Sequence, residues 1–149
     1  MSALVVGVGD PYRGDDGVGL MVARRIRRHA PAGTVVLEWR GDPETLLSAW
    51  DGVERAVVVD AVRTGAAAGT VHRLEPAVAP AALASGPRSS HGLGLAGAIA
   101  LGEALGRLPR ELRIVGVEGR AFALGAPAGE AVRAAVDRAA SAVVDELGV

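Results

Sequence analysis

The sequence predicts an α/β fold: a three-layer αβα sandwich on a five-stranded, mostly parallel sheet with one antiparallel strand. Three observations lead there. Short Val-rich runs alternate with segments of helical periodicity in the order βαβαβ-β-αβα. The run RAVVVD at 55–60 is continuously apolar, the pattern of a strand buried on both faces. Residues 62–70 then give only a short Gly- and Ala-rich connection, where a parallel crossover needs at least about 10–12 residues and usually a helix. The fourth strand is therefore expected to run antiparallel to the third. A length of 149 residues suits a single domain, 1–149, with a full core.

Taken in order, Leu4, Val5, Val6 and Val8 form the first strand, which stops at the turn glycines Gly7 and Gly9. A helix follows over 15–29, with Val18, Met21, Val22 and Ile26 on its apolar face. Arg24, Arg25, Arg27 and Arg28 lie mostly off that face and near the C-terminal end, where cations suit the helix dipole. Residues 34–38 (TVVLE) read as the second strand. Asp42 then caps a short helix that has Pro43 at its first position and runs to Trp50. After the third strand at 55–60 comes TVHRL at 70–74, the fourth. Residues 75–90 read as loop with at most one helical turn, and a helix apolar nearly all round spans 91–106. ELRIVGV at 111–117 is the fifth strand, and 129–147 is the last helix, with a stripe of Val132, Ala135, Val136, Ala139, Val143 and Leu147.

Composition excludes several classes of function. All sixteen basic residues are arginine, so lysine Schiff bases and a P-loop lysine are absent. There is no cysteine, which removes disulfides, thiol catalysis and cysteine-ligated zinc. A net charge of −1 gives no electrostatic case for nucleic acid or an anionic membrane. The longest apolar stretch, 92–102, is too short to span a bilayer, and no basic leader precedes the first strand, so a cytoplasmic protein is expected. Nothing demands a dimer, and a monomer is expected.

Acid–base residues stand at strand ends or helix starts in three places. Asp15 and Asp16 follow the first strand, Asp60 closes the third, and His91 opens the apolar helix. Of the adjacent pair, Asp15 is assigned to starting the helix and Asp16 to the site. In a doubly wound sheet the ends of the first and third strands meet near the switch point. Two carboxylates and an imidazole there make an N/O set suited to Zn, Ni, Fe or Mn. His29 is explained by the helix dipole, and His72 is read as a surface strand residue. Tyr12, Trp39, Trp50 and Phe122 are candidate anchors for a protein partner, although core filling explains Trp50 as well. Gly41, Gly65 and Gly69 would let loops approach another backbone closely.

Two rival readings are weaker. GVGDPYRG carries two glycines of a dinucleotide fingerprint but has Tyr12 where the third belongs, and two carboxylates at a helix N-terminus repel phosphate. Ser89, Ser90 and His91 are adjacent, but no nucleophile elbow accompanies them.

The run VVGVGDPYRGDDGVG resembles the N-terminal signature of hydrogenase maturation proteases, in which G-x-G-N leads to D-[DE]-G-x-G. VVVDAV resembles the family's strand-ending aspartate, SSHGLGL its histidine segment, and LRIVGVEGRAF its late strand with G-[VI]-x-P-E. The resemblance implies an endopeptidase that removes a C-terminal extension from the large-subunit precursor of a [NiFe] hydrogenase. It implies that Asp16, Asp60 and His91 contact nickel carried by that substrate, with no tightly bound cofactor of the enzyme's own. The alternative is a non-catalytic nickel-checking or chaperone module on the same fold. Asp10 departs from the signature's Asn, Gly119 from its Pro, and LEWRGDP from a glycine-rich run after the second strand.

Overall fold

A computed structural model describes residues 2–83 and 94–148. Its five strands are β1 (Ala3–Val8), β2 (Thr34–Trp39), β3 (Arg55–Val62), β4 (Val71–Leu74) and β5 (Glu111–Glu118). They form one sheet in the order β2-β1-β3-β5-β4, parallel except for β4 against β5. The expected α/β sandwich is the observed fold. β4 does run opposite to β3, but β5 lies between them. The short link has only to reach two strand spacings, about 10 Å, along one end of the sheet.

Helices α1 (Val18–Arg27) and α5 (Glu130–Leu147) cover one face. Val57, Val59 and Ala61 of β3 join Val18, Val22, Val132 and Val143 in that core. Helices α2 (Pro43–Trp50) and α4 (Gly94–Leu105), with the one-turn α3 (Ala79–Ala82), cover the other face. Ala56 and Val58 pack there with Leu46, Leu47, Trp50, Leu95 and Ile99. The period-2 alternation of a strand thus feeds two cores at once. No described helix is long and apolar enough to cross a membrane.

The first helical segment differs from expectation. It opens as a 3-10 turn, Gly14–Gly17, before α1 begins. The cap of α2 is as expected: Asp42 accepts from the Glu44 amide at 3.3 Å, with Pro43 in the first turn. Gly69 does make a close approach, because a Cβ there would stand 2.6 Å from the Ala131 carbonyl of α5. That backbone belongs to this chain and not to a partner.

Candidate active site

Strand order reverses between β1 and β3, since the chain leaves β1 for β2 on one side and returns to β3 on the other. The carboxyl ends of these two strands are the usual ligand position of such sheets. Two glycines fix what lies over them. A Cβ on Gly19 would collide with the carbonyl oxygens of both Val8 and Val59, so the start of α1 rests directly on the two strand ends. A Cβ on Gly9 would collide with the Asp16 carbonyl, so the turn leaving β1 lies against the 3-10 turn that carries the acids. The glycines of GVGD and DDGVG are one interlocked contact.

Asp16 sits on that turn, partly buried, with Oδ2 accepting from the Asp10 amide at 3.0 Å. Burial pushes its pKa up. The Asp10 charge pushes the same way, and the Asp10 amide and Arg13 offset only part of the rise. Asp60 is fully buried, and its Oδ1 accepts from the Ala61 amide at 2.8 Å. It does not close β3. The strand continues two residues further because β5 pairs with it as far as Val62 and Glu118. His91 lies outside the described residues, as do Ser89 and Ser90.

Asp15 serves another purpose than capping its own helix. It is buried, with Oδ2 accepting from the Arg120 and Ala121 amides at 2.7 and 2.9 Å and Oδ1 from the Gly129 amide at 2.7 Å. Burial raises its pKa, but these three bonds outweigh it and hold the carboxyl below the ordinary aspartate range. Asp15 thus ties the Asp16 turn to the β5–α5 loop and to the start of α5.

Glu118 is a residue that sequence reasoning left without a role. It is buried at the end of β5 and accepts from the Thr64 amide at 2.8 Å, the Thr64 hydroxyl at 2.5 Å and the Gly65 amide at 3.3 Å. His72 Nε2 stands 3.0 Å from Glu118 Oε1, so His72 is a partly buried partner rather than a surface residue. Burial pushes the Glu118 carboxyl up, yet the Thr64, His72 and Gly65 bonds prevail and hold it below the ordinary range. A depressed folded pKa contributes stability above the unfolded value, near pH 4, that is lost as pH falls through the folded value. Glu118→Gln is expected to cost about 2 kcal/mol at pH 7 and progressively less below about pH 4, read from denaturant melts across pH.

The departures from the resemblance also find places. Asp10 Oδ1 accepts from the Tyr12 amide at 2.9 Å, an Asx turn that an Asn carbonyl would make equally well. The Gly119 amide donates to the Val62 carbonyl at 3.0 Å, a bond that proline would forfeit. The Trp39 indole donates to the Asp42 carbonyl at 2.5 Å, fastening the segment that replaces the glycine-rich run. Trp39 and Trp50 are buried, which leaves Tyr12 as the exposed aromatic of the four.

A family profile described as hydrogenase maturation protease matches residues 22–146. The chain belongs to the hydrogenase maturation protease family. Among curated proteins it is 31% identical over 118 residues to the hydrogenase expression/formation protein HupD of Thiocapsa roseopersicina. That match takes in 77% of this chain and 53% of HupD, so the chain spans about half the length of the curated relative it matches. The [NiFe] hydrogenase maturation protease HybD from Thermococcus kodakarensis superposes with a TM-score of 0.74 at 26% identity, covering 99% of each chain. The hydrogenase maturating endopeptidase HybD of E. coli gives 0.83 at 24% identity, covering 99% of this chain and 93% of its own, which shows the shared fold. Within this family fold, Asp16 lies on the 3-10 turn after β1 and Asp60 on β3, while Asp15 and Glu118 hold loops near the carboxyl ends of the strands.

Proposed function

We propose that this protein is an endopeptidase that removes a C-terminal extension from the large-subunit precursor of a [NiFe] hydrogenase after nickel insertion. It acts in the cytoplasm, as a monomer, on a protein substrate and without nucleic acid or membrane. The observation that carries the reading is the pair of carboxylates at the β1/β3 switch point, Asp60 buried and Asp16 partly so. His91, in the segment before α4, is the third member of the proposed site.

The nickel is part of the substrate. With no cysteine in this chain, any thiolates around the metal come with the precursor. Asp16 is suited to meet such an ion because its Oδ2 is anchored on the Asp10 amide while Oδ1 accepts no hydrogen bond among the described residues. Asp60 is held in turn by the Ala61 amide. Asp16, Asp60 and His91 would hold the substrate's nickel, which would license cleavage by completing its coordination there and would supply any Lewis acidity the reaction uses.

The test is co-expression with the large-subunit precursor in nickel-containing medium, followed by weighing the precursor. Loss of a C-terminal segment is expected, and an unchanged mass with nickel present overturns the reading. In that event a precursor that still co-purifies with the protein marks a nickel-checking module instead. Asp16→Asn and His91→Ala are each expected to slow processing on the order of 100-fold or more while leaving the melting temperature in place. Normal processing by both variants would remove the triad assignment.

A further inference from the structure

Tyr12 and Leu124 are among the large apolar side chains left mostly in water, at 66% and 69% exposure. Single exposed apolar residues are ordinary, but these two are neighbours: the Tyr12 carbonyl accepts from the Gly125 amide at 2.7 Å. Both loops are fixed by their backbones. The Tyr12 amide donates to Asp10 and the Gly14 amide to the Ala126 carbonyl, and Asp15 holds residues 120, 121 and 129. Through Asp10, whose own amide bonds Asp16, the Tyr12 backbone is two hydrogen bonds from the proposed site.

Charge surrounds the pair. Arg13, Arg63 and Arg120 are exposed, and the Arg63 guanidinium lies 4.2 Å from the ring centre of Phe122, two residues before Leu124. Tyr and Arg are enriched at interface hot spots, and Leu124 adds apolar area beside them. Because the backbone beneath is already ordered, a partner spends little on fixing it. The two side chains offer at most about 300 Å², well below the roughly 800 Å² that each partner of a standard stable complex buries. By themselves they do not hold a second copy of this chain. They suit a partner that is anchored a second time close by, and the neighbouring anchor is Asp16.

We infer that Tyr12 and Leu124 form a docking platform for the substrate segment that flanks its metal-bearing site, one presenting an apolar side chain with acidic neighbours to the arginines. The inference rests on the processing reaction proposed above and assigns these residues to recognition rather than to chemistry. Steady-state processing of nickel-loaded precursor by purified protein tests it. The double variant Tyr12→Ser/Leu124→Ser is expected to raise KM about tenfold at unchanged kcat, and Arg120→Glu to raise KM and weaken its salt dependence. Val35→Ser, at a 63% exposed position on β2, is the control and keeps the wild-type KM. An unchanged KM in the double variant, or a loss confined to kcat, overturns the inference. If the wild type itself leaves the precursor's mass unaltered, the processing reading fails instead. Calorimetric binding of the precursor then decides the platform alone: weaker binding by the double variant supports it and equal binding overturns it.

Discussion

Asp15→Ala is expected to lower stability by about 3–5 kcal/mol, a large part of the roughly 5–15 kcal/mol that holds a domain of this size folded. The magnitude follows from how many groups the carboxylate serves. One side chain accepts from the amides of Arg120, Ala121 and Gly129, and its removal leaves three partly buried donors without their acceptor. Each such orphan costs about 1–3 kcal/mol, less whatever water recovers. At about 2–4 °C per kcal/mol, the thermal midpoint should fall by about 10–15 °C. Because the folded carboxyl is held below its ordinary range, this contribution is complete above about pH 4 and disappears as pH falls through the folded value. The gap between wild type and variant should therefore narrow in acid. A midpoint unmoved at pH 7 would mean that water satisfies all three amides.

Gly19→Ala is expected to cost about 3 kcal/mol or more and to reduce processing as well. Overpacking a core usually costs about 1–3 kcal/mol because side chains can shift aside. Here the obstacles are the carbonyl oxygens of Val8 and Val59, which belong to two central strands and cannot rotate away. Relief requires α1 to lift off the sheet, and the turn bearing Asp16 lifts with it. Thermal melts and precursor processing on one preparation check both halves. Full activity with full stability would show that the helix start tolerates displacement.

The sheet and its helices were legible in the sequence because each rests on local signals. Val-rich runs, the Asp42-Pro43 helix start and the stripe of α5 persist whatever surrounds them. Position within the sheet was less legible. The short link before β4 indicated its direction, but that β5 inserts between β3 and β4 is a matter of long-range pairing. The same cause hid the true end of β3, since Asp60 continues in strand only because Gly116 stands beside it on β5.

Side-chain roles divided along similar lines. Asp16 and Asp60 were singled out by their place after apolar runs, a feature of the chain alone. Asp15 does stand in the first helical turn, but its side-chain bonds could not be read because the partners lie more than a hundred positions away. His72 and Glu118 also gave no local sign of each other, being 46 positions apart. A carboxylate closing an otherwise apolar strand, as Glu118 does, was the available clue that something must meet it inside.

The Asp15 tether also bears on the order in which the molecule assembles. Residues 1–83 carry β1, β2 and β3 and can begin to associate while the remainder is still being made. The acceptor at residue 15 has nothing to receive until β5 and the loop after it leave the ribosome. A polypeptide arrested before residue 120 would therefore carry Asp16 and Asp60 without the three bonds that fasten the Asp15–Asp16 turn to the rest of the fold.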